Sequence, residues 1–297
     1  MNEKTKGFLL VALSGALSGT IIFGGQIFSN LGLSLFELST LPFIFSLFFL
    51  FPFIIKKKFF PKKELFPLVF IYGFAAAGAI FSQFGGLIFG VSVAVVVLLL
   101  YAQPLWTVLI SKFFLKEKIN SWQYIACTLV LIGVFFTVDP SNLFASKSWL
   151  GVLVALIGGI FLSIWIILGS RLSKKGVDPF LLKFYETSLS LVLIFLSYPG
   201  WLLLSSDPKV ITFSLDFPLW IFGGLILYNL FSLTFNHLIY YAGSKRISTV
   251  DSGILMLFEP PVAILLAVVF LAQPLTFSVI IGGSLILLGN VIVIVKG

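Results

Sequence analysis

Charge is scarce in this chain. Of 297 residues, 10% are Asp, Glu, Lys or Arg, against 59% hydrophobic. A water-soluble domain must cover itself with polar groups, and this composition holds too few of them. Cysteine is nearly absent as well. Cys127 is the single one and lies in an apolar run, so no intramolecular disulfide can form and a thiolate metal cluster has no second ligand. His237 is the single histidine. Neither a metal-ligand cluster nor a phosphate-cradling glycine motif occurs, and Gly85-Gly86 with Gly90 does not make one. No nucleophile–base constellation occurs either, so the expectation is no enzyme, no cofactor and no metal. The net charge of +8 does not signal nucleic acid. The basic residues sit in short clusters between apolar runs, as they do in cytoplasmic loops of membrane proteins.

What the chain has is long apolar runs. A helical span needs roughly 20 apolar residues. Ten runs read as spans: 7–28, 35–55, 65–89, 92–113, 121–138, 149–170, 179–203, 217–243, 248–270 and 275–295. They use almost the whole chain and leave no room for a separate soluble domain. Helix is the required form, because a lipid-facing strand leaves its backbone polar groups unsatisfied and the runs are too uniformly apolar for barrel strands. The first run resembles a signal peptide at Lys4, Lys6 and Ala16-Leu17-Ser18-Gly19, but its continuation through Ile21-Ile22-Phe23 reads as a retained span.

The basic residues orient the spans. With the N-terminus inside, 16 of the 19 Lys and Arg fall in cytoplasmic segments, from Lys4 and Lys6 through Lys56-Lys57-Lys58 to Lys245-Arg246 and Lys296. Lys147 and Lys209 fall outside and Lys183 falls within a span. The bias places both termini in the cytoplasm.

The chain also repeats itself. Residues 91–138 match 247–294 at an offset of 156: Ser92 on Ser248, Pro104 on Pro260, Phe114-Leu115 on Phe270-Leu271, Gly133 on Gly289. Tyr72 falls on Tyr228 at the same offset, and Val11-Ala12-Leu13 with Gly15 match Val154-Ala155-Leu156 with Gly158. The shared Pro and Gly positions carry more than the shared Leu and Val. The expected architecture is therefore all-α integral membrane, ten transmembrane helices as two inverted five-helix repeats, 1–143 and 144–297. Five spans is an odd number, so the second half enters the membrane upside down. Repeats of this kind recur in secondary transporters, whose substrate sites lie near the midplane at the repeat interface.

At these residues the sequence resembles the EamA family of the drug/metabolite transporter superfamily. The resemblance covers nearly the whole chain and rests on Gln103-Pro104 running to Phe114-Leu115-Lys116-Glu117, with Glu259-Pro260 running to Phe270-Leu271-Ala272-Gln273 as the counterpart. The second half departs from the pattern at Gln273, where a Glu is common. The resemblance implies a carrier of small metabolites, often an exporter of amino acids or related solutes, in a bacterial cytoplasmic membrane.

Several polar residues stand out against the apolar background. Glu259 falls about eleven residues into the ninth span, near the midplane at ~1.5 Å per residue. A carboxylate there is costly, which makes it a functional candidate; the alternative is a protonated packing device on freed carbonyls. Pro260 and Pro261 follow it, and Gln103-Pro104 holds the matching place in the fourth span. Prolines remove backbone donors and free carbonyls that need polar neighbours. Tyr101 and Trp106 flank Pro104, and Tyr72 and Tyr228 are further candidates, since aromatic rings beside a carboxylate suit an ammonium group. Packing is the competing reading for each ring. Glu186 shares a helix face with Lys183 three residues earlier, as a gate or coupling carboxylate, or as a salt bridge near the cytoplasmic end with Lys183 snorkelling outward. His237, with Asn229 and Asn236 nearby, is a packing residue or a proton carrier, its ordinary titration range lying near neutrality. Asp251 and Glu117 lie near basic residues at the cytoplasmic face, as interfacial pairs or gates.

Together these readings predict a secondary active transporter working by alternating access. Glu259, Gln103, Tyr101 and Trp106 would line its site. Phosphorylated solutes need Arg or Lys clamps, and the single cation within a span sits beside Glu186. A zwitterionic or cationic solute is expected: an amino acid, amine or quaternary ammonium compound. Protons or sodium are the candidate coupling ions. The alternatives are a non-transporting receptor or partner-dependent subunit, and a lipid flippase.

Overall fold

The computed structural model describes residues 2–55, 62–103, 106, 121–138, 148–247, 252 and 255–296. Among these residues the chain is helical, with no strand. The helices are α1 (Glu3–Asn30), α2 (Leu35–Ile54), α3 (Phe66–Ile88), α4 (Val93–Leu100), α5 (Ser121–Val138), α6 (Trp149–Lys174), α7 (Pro179–Leu204), α8 (Leu219–Ser244), α9 (Glu259–Leu271) and α10 (Phe277–Lys296). Six are long and apolar enough to cross a membrane: α1, α2, α3 with the turn before it, α6, α7 and α8. Their outward faces carry large apolar side chains such as Phe48, Leu196, Leu203 and Leu219, which water would not tolerate in such number.

Local chemistry sets the helix ends. Ser34 opens α2 with a capping box: the Glu37 N–H donates to Ser34 Oγ at 3.1 Å and the Ser34 N–H donates to Glu37 Oε2 at 2.8 Å. The second Glu37 oxygen accepts the Ser214 N–H at 2.7 Å, so a buried carboxylate ties the α7–α8 connection to the start of α2. Asp178 caps α7, with Pro179 at its first position. Gly32 and Gly176 follow the ends of α1 and α6 with φ of +98° and +80°, the left-handed stop that a Cβ disfavours.

The helices pair in a pattern. α5 packs on α10, α2 on α7 and α4 on α9; α3 packs on α6 as α1 does on α8; α4 packs on α6 as α9 does on α1; α3 packs on α7 as α8 does on α2. Exchanging each helix for the one five places along maps each of these pairs onto itself or onto another. Side-chain bonds follow suit. Ser46 of α2 donates to Asn229 Oδ1 of α8, and Ser190 of α7 donates to the Gly73 carbonyl of α3. Glycines allow the closest approach: a Cβ on Gly133 would lie 2.7 Å from the Gly282 carbonyl oxygen, and one on Gly289 would lie 2.9 Å from that of Ala126.

Two helices are interrupted at corresponding places. α4 stops at Leu100, with the Ala102 N–H bonded to the Leu99 carbonyl at 3.1 Å, and Gln103 is helical again. In the ninth segment the Phe258 N–H bonds to the Leu255 carbonyl at 3.3 Å, and α9 then begins at Glu259. The two turns lie 156 residues apart. Pro260 and Pro261 therefore occupy the first turn of α9, where a missing N–H costs nothing. A third irregularity is the π-helical stretch Asn229–Phe235 inside α8, which ends directly before Asn236-His237.

Candidate functional site

A small cavity of about 30 Å³ lies between α1, α3, α6, α7, α8 and the start of α9. Its polar lining comprises Ser18, Gln83, Glu186, His237 and Glu259, and its apolar walls include Ala76, Ile80, Leu162, Trp165 and Met256. By this measure the space admits a water or two.

Glu259 sits on one side. Its Oε2 accepts the Tyr101 hydroxyl at 3.0 Å, and the same hydroxyl lies 2.8 Å from the Met256 carbonyl. Glu259 Oε1 is buried without a hydrogen-bond partner among the described residues, as is Gln83 Oε1. The carboxylate stands in the first turn of α9, whose Pro260 and Pro261 bring no backbone N–H to it. The carbonyls that the interruptions free are met by side chains: that of Met256 by Tyr101, and that of Tyr101 by the Asn290 amide at 3.0 Å.

Glu186 lines the same cavity, inside a network drawn from three helices. Lys183 Nζ donates to Glu186 Oε1 at 2.9 Å. Tyr241 of α8 and Tyr72 of α3 donate to Glu186 Oε2, and their hydroxyls also meet each other. His237 Nδ1 lies 2.9 Å from Glu186 Oε1 and 3.0 Å from Lys183 Nζ. One ring nitrogen cannot serve both neighbours at once. As N–H it donates to the carboxylate; as a lone pair it accepts from the ammonium. The triad thus has two hydrogen-bonding arrangements that differ by one proton position. Trp165 covers it, its ring centroid 4.7 Å from that of His237.

The outward-snorkelling alternative for Lys183 does not hold. The side chain is 0% exposed and turns inward to Glu186 and His237, with Nζ 5.8 Å from the Phe43 ring centroid. Once paired, it offers no free cation for a phosphate.

The other sequence candidates fall at varying distances from the cavity. Tyr101 touches Glu259 directly, and Tyr72 is one hydrogen bond from Glu186. The Gln103 carbonyl accepts from Ser163 at 3.2 Å, and Trp106 lies against Gly159, whose missing Cβ makes room for the indole. Tyr228 donates its hydroxyl to the Ile21 carbonyl at 2.7 Å and packs its ring on Gly24, away from both carboxylates. Asn236 bridges to α1, accepting from Ser14 and donating to Ser18 at 2.9 Å. Asp251, Glu117 and Pro104 lie outside the described residues. Gln273 has a structural use: its side-chain oxygen accepts the Val93 N–H at 3.1 Å, which fastens the end of α9 to the start of α4. Sequence reading missed Tyr241, Trp165, Gln83 and Ser18. Tyr241 was within reach, since it stands one turn after His237 on the same face.

Helices of membrane-crossing length thus surround a small, mostly apolar cavity with two carboxylates in its wall. Residues 5–139 and 149–295 each match the EamA-like transporter family, and the chain belongs to that family, within the drug/metabolite transporter superfamily. An "uncharacterized transporter" of Archaeoglobus fulgidus is 26% identical over 234 residues, 77% of this chain and 78% of that protein. Another from the same organism is 24% identical over 287 residues, 96% and 95% of the two chains. One from Clostridium kluyveri is 22% identical over 205 residues, 63% of this chain and 58% of that one. A solved crystal structure superposes with a TM-score of 0.58 at 17% identity, covering 99% of both chains, a likeness of fold alone.

Proposed function

We propose that the protein is a secondary active transporter that carries a small zwitterionic or cationic solute through the central cavity by alternating access. The chain is read as ten spans in two inverted repeats, 1–143 and 144–297, with both termini in the cytoplasm. The observation that carries the reading is the cavity itself: two carboxylates from different helices line one small space, and among the described residues only Glu186 has a cationic side chain bonded to it. With Lys183 neutralising Glu186, the unmatched negative charge is that of Glu259. An ammonium group or a proton would balance it, and proton coupling follows from that exchange. The paired interruptions in α4 and α9 and the exchange-symmetric helix packing support a site at a repeat interface. The cavity volume is well below the roughly 300 Å³ lower range of ligand pockets, which fits a contracted member of an alternating set.

A thermal-shift screen of the purified protein against amino acids, amines, quaternary ammonium compounds and organic phosphates tests the site. A ligand at 100 times its Kd should stabilise by about 2.7 kcal/mol. The expected outcome is stabilisation of wild type by an amine or amino acid, lost in Glu259→Gln. Stabilisation by phosphates alone, or an unchanged response in Glu259→Gln, would contradict it.

A further inference from the structure

A second, larger chamber lies along the same two helices as the central cavity. Its volume is about 440 Å³, and Gln26, Ser29 and Asn30 of α1, Leu87 of α3 and Lys209 of the α7–α8 connection line it. The central cavity takes Ser18 and Ile21 from α1 and Ile80 and Gln83 from α3. The two spaces are therefore successive stations on the α1–α3 seam, about one helical turn apart. In that interval Phe84 of α3, between Gln83 and Leu87, meets Gly25 of α1, between Ile21 and Gln26. Phe84 is 0% exposed and rests on Gly25, where a Cβ would come within 2.4 Å of its Cε1. At the preceding residue the Tyr228 ring rests on Gly24. Among the described residues Lys209 is the charged side chain of the chamber lining; the Asp207 carboxylate beside it accepts the Lys209 backbone N–H at 2.9 Å.

We propose that this chamber is an entry vestibule that receives the anionic end of the solute at Lys209, and that Phe84 against Gly25 is the gate between it and the central cavity. A solute with a carboxylate meets the ammonium of Lys209 first and its own ammonium meets Glu259 second, which narrows the class to zwitterions. The lack of side chains at Gly24 and Gly25 gives both rings a flat surface to leave and return to. Since α1 reaches the chamber at its Asn30 end, the vestibule opens on the face opposite the N-terminus.

The single cysteine makes the test direct. In a Cys127→Ala background, Gln26→Cys reports the vestibule and Gln83→Cys the central cavity. The probes are membrane-impermeant methanethiosulfonates, one anionic with a sulfonate and one cationic with a trimethylammonium group, applied from each side of the membrane. Gln26→Cys should react promptly from the face opposite the N-terminus, and Gln83→Cys slowly from it. Phe84→Ala should speed the Gln83→Cys reaction from that face by about tenfold while leaving Gln26→Cys unchanged. Phe84→Leu should act in the same direction if the alanine variant does not fold, with prompt Gln26→Cys labelling as the folding control. Lys209→Gln should lower the anionic-to-cationic rate ratio at Gln26→Cys by about threefold. A Gln83→Cys rate indifferent to both Phe84 substitutions overturns the gate. A rate ratio indifferent to Lys209 overturns the anion-receiving vestibule. The inference rests on the transporter reading, but labelling decides the route without a known solute, whereas failure of that reading would show as wild type without flux.

Discussion

Lys183, Glu186 and His237 show what a buried charge demands of its neighbours. Lys183 and Glu186 are visible in the sequence as a cation and an anion on one helix face. What the sequence does not give is that α8 lays His237 and Tyr241 against them and α3 adds Tyr72, because no local pattern encodes which helices are neighbours. The inward turn of Lys183 follows from that enclosure. Lys183→Met should therefore destabilise the protein by about 3–5 kcal/mol, since it strands a buried carboxylate, and Lys183→Met with Glu186→Gln should recover part of the loss. Chemical unfolding in detergent measures both, and equal losses would mean that the pair is not coupled. Asn290→Leu should cost about 1–3 kcal/mol in the same assay, because the Tyr101 carbonyl loses its donor.

At the scale of helices, the prolines announce the interruptions and the structure places them. Pro260 and Pro261 mark α9 as broken in the sequence; that the break falls at Leu257-Phe258, so that Glu259 opens the new helix, is a matter of backbone hydrogen bonding. The Phe-Leu-Ala-Gln ending likewise acquires a physical meaning. Ala272 takes the left-handed conformation at φ +49°, which ends α9 and lets Gln273 reach the first N–H of α4. Ala is disfavoured there by the crowding of its Cβ, so Ala272→Gly should raise the melting temperature by an amount equivalent to about 1 kcal/mol. The α5–α10 contact depends on missing side chains: Gly133→Val should cost about 1–3 kcal/mol, and Gly223→Ala, with nothing within 4 Å of its Cβ position, should cost little. Equal melting temperatures for the two variants would show that close α5–α10 packing is not required.

The whole molecule was legible as a helical membrane protein from composition and run length alone, because those quantities add over the chain. The cavity was not, because it depends on which faces of six separate elements converge. Glu259 and Glu186 were each recognisable as costly charges; that they line one cavity could come only from the packing. The central claim is that this space carries solute across the membrane, with Glu259 as the unmatched charge. It is tested most directly by counterflow of a radiolabelled amino acid or amine, chosen as the strongest stabiliser of wild type, in proteoliposomes bearing wild type or Glu259→Gln. The account predicts saturable accumulation by wild type and its loss in Glu259→Gln reconstituted to the same density. Binding without flux by wild type, or undiminished flux by Glu259→Gln, would contradict it; the first result would favour a receptor or a partner-dependent subunit.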